Sequence, residues 1–162
     1  MEFSEIYDEH VFTVFGFFAY RVVNRVDAED LTQVTFEKAL RAWPRYDPRR
    51  APPRAWLLAI ARNALIDHVR AKKPSGLSLD DDLGDGALPY TEGPEANLGL
   101  SAELEAALRG LTTRDREIVA LRFGADLTGP EIAEMLGLTL ANVQQILSRS
   151  LRRLKGELDE FR

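Results

Sequence analysis

Thr128-Gly129-Pro130-Glu131-Ile132-Ala133-Glu134-Met135-Leu136-Gly137-Leu138-Thr139 sets the architecture of the chain. Thr128 with Glu131 three residues on fits a capping box, an N-cap hydroxyl answered by a carboxylate at N3. Pro130 falls in the first turn, where a missing N–H costs little. The segment Pro130 to Leu136 then predicts a short helix with Ile132, Ala133 and Leu136 on one side. Gly137 suits the left-handed conformation at a helix C-terminus, and Thr139 can cap a second helix. Two helices joined by so tight a turn, with small Ala133 allowing close approach, predict a helix-turn-helix.

The second helix divides by angle at about 100° per residue. Val143, Leu147, Ser150, Leu151, Leu154 and Leu158 form one stripe, expected to face the core. Gln145, Ser148, Arg149 and Arg152 fall opposite, flanked by Gln144 and Lys155. Long donors on such a face can reach base edges and phosphates in a major groove. The same pattern also describes the solvated side of an ordinary surface helix. Upstream, Thr112-x-x-Asp115 fits a second capping box, so residues from about 100 to 162 read as helices throughout.

Residues 1–73 read as a second helical unit. Val11, Phe12, Val14, Phe15, Phe18 and Val22 recur at helical spacing. A further helix is expected from Asp27, with Glu29 and Asp30 in a first turn that favours carboxylates. It should end before Pro44, because the residue preceding proline avoids the α region. Asp47-Pro48-Arg49-Arg50-Ala51-Pro52-Pro53 makes a stiff basic loop, and a third helix is expected from Arg54 to Lys73. Leu57, Ala61, Ala64, Leu65 and His68 form its buried side, with Arg62, Asn63, Arg70 and Lys73 opposite. Cations beside rings suit single-stranded nucleic acid; Trp43, Tyr46 and Trp56 would serve equally well as core.

Between the two units, residues 74–99 carry Pro74, Gly76, Gly84, Gly86, Pro89, Gly93, Pro94 and Gly99 among acids, the composition of an extended linker. Its leucines and Tyr90 fit either binding along its length or a solvated spacer. The formal charge of −5 hides a strong asymmetry. Arg41 to Lys73 holds nine basic residues against Asp47 and Asp67, while Asp80 to Glu105 holds eight acids and no Lys or Arg. With the charge so unevenly spread, the net acidity does not argue against a nucleic-acid binder.

Composition excludes several classes. The chain of 162 residues has no cysteine, which removes disulfides, thiolate zinc sites and cysteine nucleophiles. No apolar run reaches the roughly eighteen residues of a membrane span. The acidic opening Met1-Glu2-Phe3-Ser4-Glu5 is unlike a signal peptide, so a cytoplasmic protein without membrane insertion is expected. Among Asp27, Glu29, Asp30 and Glu37, helical spacing puts Asp27 and Asp30 on different azimuths from Glu29, unlike a metal site. His10 and His68 are unaccompanied, and there is no Gly-rich phosphate loop. No catalytic residue, metal or cofactor is expected, and no enzyme activity.

These segments resemble the bacterial sigma factors, specifically the small extracytoplasmic-function group. Asp27-Ala28-Glu29-Asp30-Leu31-Thr32-Gln33-Val34-Thr35-Phe36-Glu37-Lys38-Ala39-Leu40-Arg41-Ala42-Trp43 resembles the family's polymerase-binding stretch. Tyr46 to Asn63 resembles its promoter-melting loop and helix, and Leu111 to Lys155 its C-terminal helix-turn-helix domain. The resemblance implies an all-α fold: two small helical domains, 1–73 and 100–162, joined by an acidic flexible linker, 74–99.

It also implies roles. Asp30, Gln33, Phe36 and Glu37 would bind core RNA polymerase at the β′ clamp, with the second domain on the β flap. Arg49, Arg50, Arg54, Trp56, Arg62, Asn63 and Arg70 would read and melt the −10 element of promoter DNA. Asn142, Gln144, Gln145, Ser148, Arg149 and Arg152 would read the −35 element as duplex. An anti-sigma factor is a further partner the resemblance suggests. The chain departs from the family pattern in three places. Val34 stands where an acid is usual, Ala51-Pro52 where a Gly-Ser-like pair is common, and Gln144-Gln145-Ile146 where a basic Lys-Ser-Arg-like run is common.

Overall fold

In the computed structural model, residues 2–22, 24–72 and 102–160 are described. The linker expected at 74–99, together with Lys73, lies outside them. The described residues form helices and turns with no strand, as the all-α reading requires.

The first bundle is built from α1 (Phe3–Val22), α2 (Arg25–Ala42), a short 3-10 turn (Trp43–Arg45) and α3 (Pro53–Lys72). Asn24 caps α2: its backbone is extended (φ −143°, ψ 122°) and its side-chain oxygen accepts from the Asp27 N–H at 3.0 Å. The helix therefore starts two residues before the expected Asp27, because asparagine is among the best N-caps. It ends at Ala42, ahead of Pro44 as expected. Phe17, Phe18, Ala28, Ala39, Leu57 and Leu58 are fully buried at the centre. Phe12, one of the apolar residues recurring at helical spacing, is 83% exposed. It lies about 160° around the helix from Val14, so the apolar residues of α1 outnumber what one face can bury.

The second bundle comprises α4 (Ala102–Arg109), α5 (Thr113–Val119) running into a π-helical turn (Ala120–Gly124), α6 (Gly129–Leu136) and α7 (Leu140–Glu160). At Thr128 the capping box is complete: the hydroxyl accepts from the Glu131 N–H at 3.3 Å, and the Glu131 carboxylate from the Thr128 N–H at 3.0 Å. At Thr112 only half of the box forms, with the hydroxyl accepting from the Asp115 N–H at 3.2 Å. The Asp115 carboxylate instead takes the Arg149 guanidinium, at 2.9 and 3.1 Å. Gly137 is left-handed (φ 69°, ψ 32°), and Thr139 accepts from the Asn142 N–H at 3.1 Å, which fixes the angle between α6 and α7.

Ile132, Val143, Ile146 and Ser150 face inward from this pair. Leu151, expected in the core, is 43% exposed. The buried stripe of α7 is centred on Ser150, and Leu151 lies about 100° further round. The two bundles pack on one another, and one core cluster runs from Ile6 and Phe18 through Leu57 to Ile118, Leu121 and Ile132. A second cluster, with Leu108 and Leu111, seats α4 against Val119 and Leu154.

Candidate nucleic-acid interface

The outer face of α7 carries the residues that its periodicity placed there. Gln144, Gln145, Ser148, Arg149 and Arg152 are exposed, and Asn142 is half-buried behind the turn. Arg149 differs from the rest, since its bidentate tie to Asp115 joins α7 to α5 and holds the guanidinium in one place. No hydrogen bond or ion pair among the described residues restrains the Arg152 side chain. The face thus offers glutamine amides near the N-terminal end, one anchored arginine and one long untethered cation. That inventory can read base edges and grip phosphates.

On the first bundle, the loop after α2 is held by rings. Tyr46 stacks on Trp43 (5.3 Å between centroids, 14° between planes) and contacts Trp56 at 4.5 Å. Its hydroxyl donates to the Ala51 carbonyl at 2.9 Å, and burial, with help from Asp47, pushes that hydroxyl's pKa up. The rings are half-buried and pack mainly on each other, so Trp56 supports the loop. Asp47 accepts from the Arg49 backbone at 2.9 Å and from its Nε at 3.2 Å. Those bonds, the side-chain one first, hold its carboxyl below the usual range. Arg49 and Arg50 project into solvent from this loop, as do Asn63 and Arg70 from α3.

Two other cations of the predicted set are engaged across the domain boundary. Arg54 clamps Glu131 of α6 with Nη2 at 2.8 and 2.9 Å from the two carboxylate oxygens. Arg62 donates its Nε to Glu117 of α5. Nearby, Arg116 of α5 donates to the Tyr20 carbonyl of α1 at 2.8 Å. Sequence reasoning missed this seam because each partner is remote in sequence and no local periodicity encodes it.

The residues expected to form the polymerase face differ in their exposure. Asp30, Gln33 and Glu37 are exposed on α2, and Gln33 donates to Glu37 at 3.2 Å. Phe36, expected beside them, is only 5% exposed, because its ring packs edge-on against Phe3 and Tyr7 (6.5 and 4.8 Å). It forms the floor of a groove of about 730 Å³ between α1 and α2, whose rim includes Tyr7, Phe12, Gln33 and Glu37. The surplus of apolar residues on α1 was the sequence signal for that rim. Among the described residues no cluster of three or more His, Asp or Glu could hold a metal. His68 stands 3.7 Å from Asp27 and belongs to the packing of α3 on α2.

A helix-turn-helix bundle joined to an arginine-bearing helical bundle defines a helical, sequence-specific DNA-binding protein of transcription. Residues 6–74 match the Sigma-70 region 2 family and residues 107–156 the Sigma-70, region 4 family. The chain is 34% identical over 157 residues to the ECF RNA polymerase sigma factor BldN of Streptomyces coelicolor, covering 94% of this chain and 58% of that one. It is 30% identical over 156 residues to the ECF RNA polymerase sigma factor SigM of Bacillus subtilis, covering 96% and 94%. The fold is shared with the sigma factor RpoE of Bartonella quintana, solved in complex with the anti-sigma factor NepR, at a TM-score of 0.73 and 21% identity over 99% and 98% of the two chains. The chain belongs to the ECF RNA polymerase sigma factors, which direct RNA polymerase to promoters. Among the described residues no helix is long and apolar enough to cross a membrane.

Proposed function

We propose that promoter recognition is divided between domains 1–73 and 100–162, with the acidic linker 74–99 running between them along the polymerase. The face of Asp30, Gln33 and Glu37, with the groove floored by Phe36, docks on the β′ clamp. Arg49, Arg50, Asn63 and Arg70, joined by Arg54 and Arg62 once the domains part, hold the melted −10 strand. The outer face of α7 reads the −35 element, and the second domain rests on the β flap. The protein acts in the cytoplasm without catalysis of its own, and an anti-sigma factor restrains it.

The observation that carries this reading is the outward row Gln144, Gln145, Ser148, Arg149 and Arg152 on a capped helix-turn-helix. Reach supports it as well. Elements about 25 base pairs apart lie roughly 85 Å apart at 3.4 Å per base pair. A linker the length of residues 74–99 can extend to roughly 85–95 Å at ~3.3–3.6 Å per residue, so opened domains can span both elements. Packed domains, with Arg54 and Arg62 held by Glu131 and Glu117, do not present that arrangement.

The test is transcription in vitro with core polymerase on a genomic library. Initiation from a defined promoter set only when the chain is added is expected. If the isolated chain footprints the same sites as tightly as the holoenzyme, it acts as an autonomous regulator and the division of labour is wrong.

A further inference from the structure

A small cavity of about 120 Å³ lies where the two domains meet, and its polar lining is three arginines against one carboxylate and one threonine. Arg21 of α1, Arg62 of α3, and Arg114 and Glu117 of α5 surround it, over the apolar edge of Leu65. Three guanidinium groups therefore face one carboxylate, and that carboxylate already accepts from Arg62. Arg21 is the unusual member. It is 2% exposed, yet its Nε and Nη1 have no hydrogen-bond partner.

A guanidinium carries five N–H donors and no acceptor, and a buried donor left unmet is costly, more so when it is charged. Burial lowers the pKa of Arg21, Glu117 opposes that shift and Arg62 adds to it. The neighbouring Arg116, 1% exposed and with an unpartnered Nη2, is pushed down to about 9 by burial first, then by Arg21 and Arg109. The seam thus concentrates positive charge without enough acceptors.

We infer that this cavity is a binding site for a small tetrahedral oxyanion of the phosphate class, held by Arg21, Arg62 and Arg114. Forked N–H pairs match the oxygens of such an anion in geometry and charge. The volume is well below the roughly 300–1,000 Å³ of pockets that enclose drug-sized ligands, which favours the free anion over a nucleotide. Both domains supply the lining, so the site exists only while they are packed together. A ligand that binds only that state shifts the population toward it by mass action. Binding would therefore hold Arg62 away from DNA; that consequence, unlike the binding itself, rests on the function proposed above.

The experiment titrates inorganic phosphate into the full free chain at constant ionic strength, with chloride as the control, following 31P line width and Tm. Saturable binding with a Tm rise beyond chloride is expected, weakened at least tenfold in Arg21→Met and in Arg114→Ala. Arg114 is exposed, so its variant keeps the fold if Arg21→Met does not. The general salting-out effect of phosphate rises without saturating and is indifferent to both substitutions, so that outcome overturns the proposal. Unchanged affinity in Arg114→Ala overturns it too. A duplex oligonucleotide without terminal phosphates forms the last arm. Displacement of phosphate together with a larger radius of gyration is the expected linkage between packed and parted domains; displacement with the domains still packed means that the site takes a backbone phosphate and the free-anion assignment is wrong. No polymerase enters any arm, so failure here is separable from failure of the promoter reading.

Discussion

Gly16 and Gly124 meet backbone against backbone: a Cβ on Gly16 would stand 2.0 Å from the Gly124 carbonyl oxygen, and a Cβ on Gly124 2.3 Å from that of Gly16. Neither has a positive φ, so what both positions demand is space. The π-helical turn Ala120–Gly124, closed by the Ala125 N–H donating to the Ala120 carbonyl at 2.9 Å, carries Gly124 into α1. Around this contact Arg54, Arg62 and Arg116 each bridge the domains. A seam with no side chain at its closest point is specified by sequence, and it covers two of the cations that would bind DNA.

Gly124→Ala tests that specification. Its Cβ would strike the backbone of α1, which no rotamer change relieves, so the domains should part. Overpacking of this kind costs about 1–3 kcal/mol. The expected result is a larger radius of gyration by small-angle scattering, near-unchanged helicity by circular dichroism and tighter binding of free chain to promoter DNA. An unchanged radius would show that the seam tolerates a methyl group and is not fixed by this pair.

Glu131 links the seam to pH. Burial raises its carboxyl, but bonds from Thr128 and Arg54 outweigh that and hold it below the usual carboxylate range. A group depressed on folding contributes stability above its unfolded pKa and loses it as pH falls through the folded value. The contribution should therefore be constant at neutral pH and lost as pH falls through the carboxylate range to that lowered value. Glu131→Gln should lower Tm at pH 7, with a gap to wild type that closes on acidification. The pair is partly exposed (31% and 35%), so the effect should be modest and salt-sensitive. A gap independent of pH would mean that the carboxylate charge plays no part.

What the sequence disclosed depended on how local the signal was. Thr128, Gly137 and Thr139 act within one turn of themselves, so the helix-turn-helix was readable from them directly. The angular split of α7 was readable to within about 100°: the expected stripe included Ser150 but left out Ile146, which is buried on the far side of it, so its centre was drawn too close to Leu151. Phe12 shares the helical spacing of its apolar neighbours, and hydrophobicity alone cannot separate a core face from an apolar groove rim. The burial of Arg21 and Arg116, and the engagement of Arg54 and Arg62, depend on partners tens of residues away. Arginine on a basic stretch looks like a free cation until the facing acid is located.

Reversing charge at Asp30 and Glu37 together tests the polymerase face. Both are exposed on α2, and neither contributes to the core. Surface changes of this type usually alter stability by under about 0.5 kcal/mol, so the fold and Tm should persist while co-purification with core polymerase is lost. Retained co-purification would remove this face from the interface. Loss of Tm alongside binding would instead assign the pair a structural role.

The residues of α7 should separate into three behaviours, since the structure gives each a different tether. Gln145 is exposed near the N-terminal end of the recognition helix, where a glutamine amide can pair with both N6 and N7 of adenine. Gln145→Ala should therefore change which −35 sequences are selected, by about 1–3 kcal/mol of discrimination at one position. Arg152 is exposed and untethered, which suits a phosphate contact. Arg152→Ala should weaken all sequences alike and flatten the salt dependence by roughly one unit of slope. Arg149 is tied to Asp115, whose side chain is only 11% exposed. Arg149→Ala should thus lose DNA affinity and also roughly 1–3 kcal/mol of stability, because a largely buried carboxylate is left without its donor. Asp115→Asn tells the two effects apart: it frees Arg149 without removing it, so stability should fall while the salt slope is kept. Selection of −35 variants with each holoenzyme, alongside thermal melts of each free chain, makes the comparison. If Gln145→Ala selects the wild-type sequence, the glutamines do not read bases; if Arg149→Ala melts like wild type, its tie to Asp115 does not hold α7 in place.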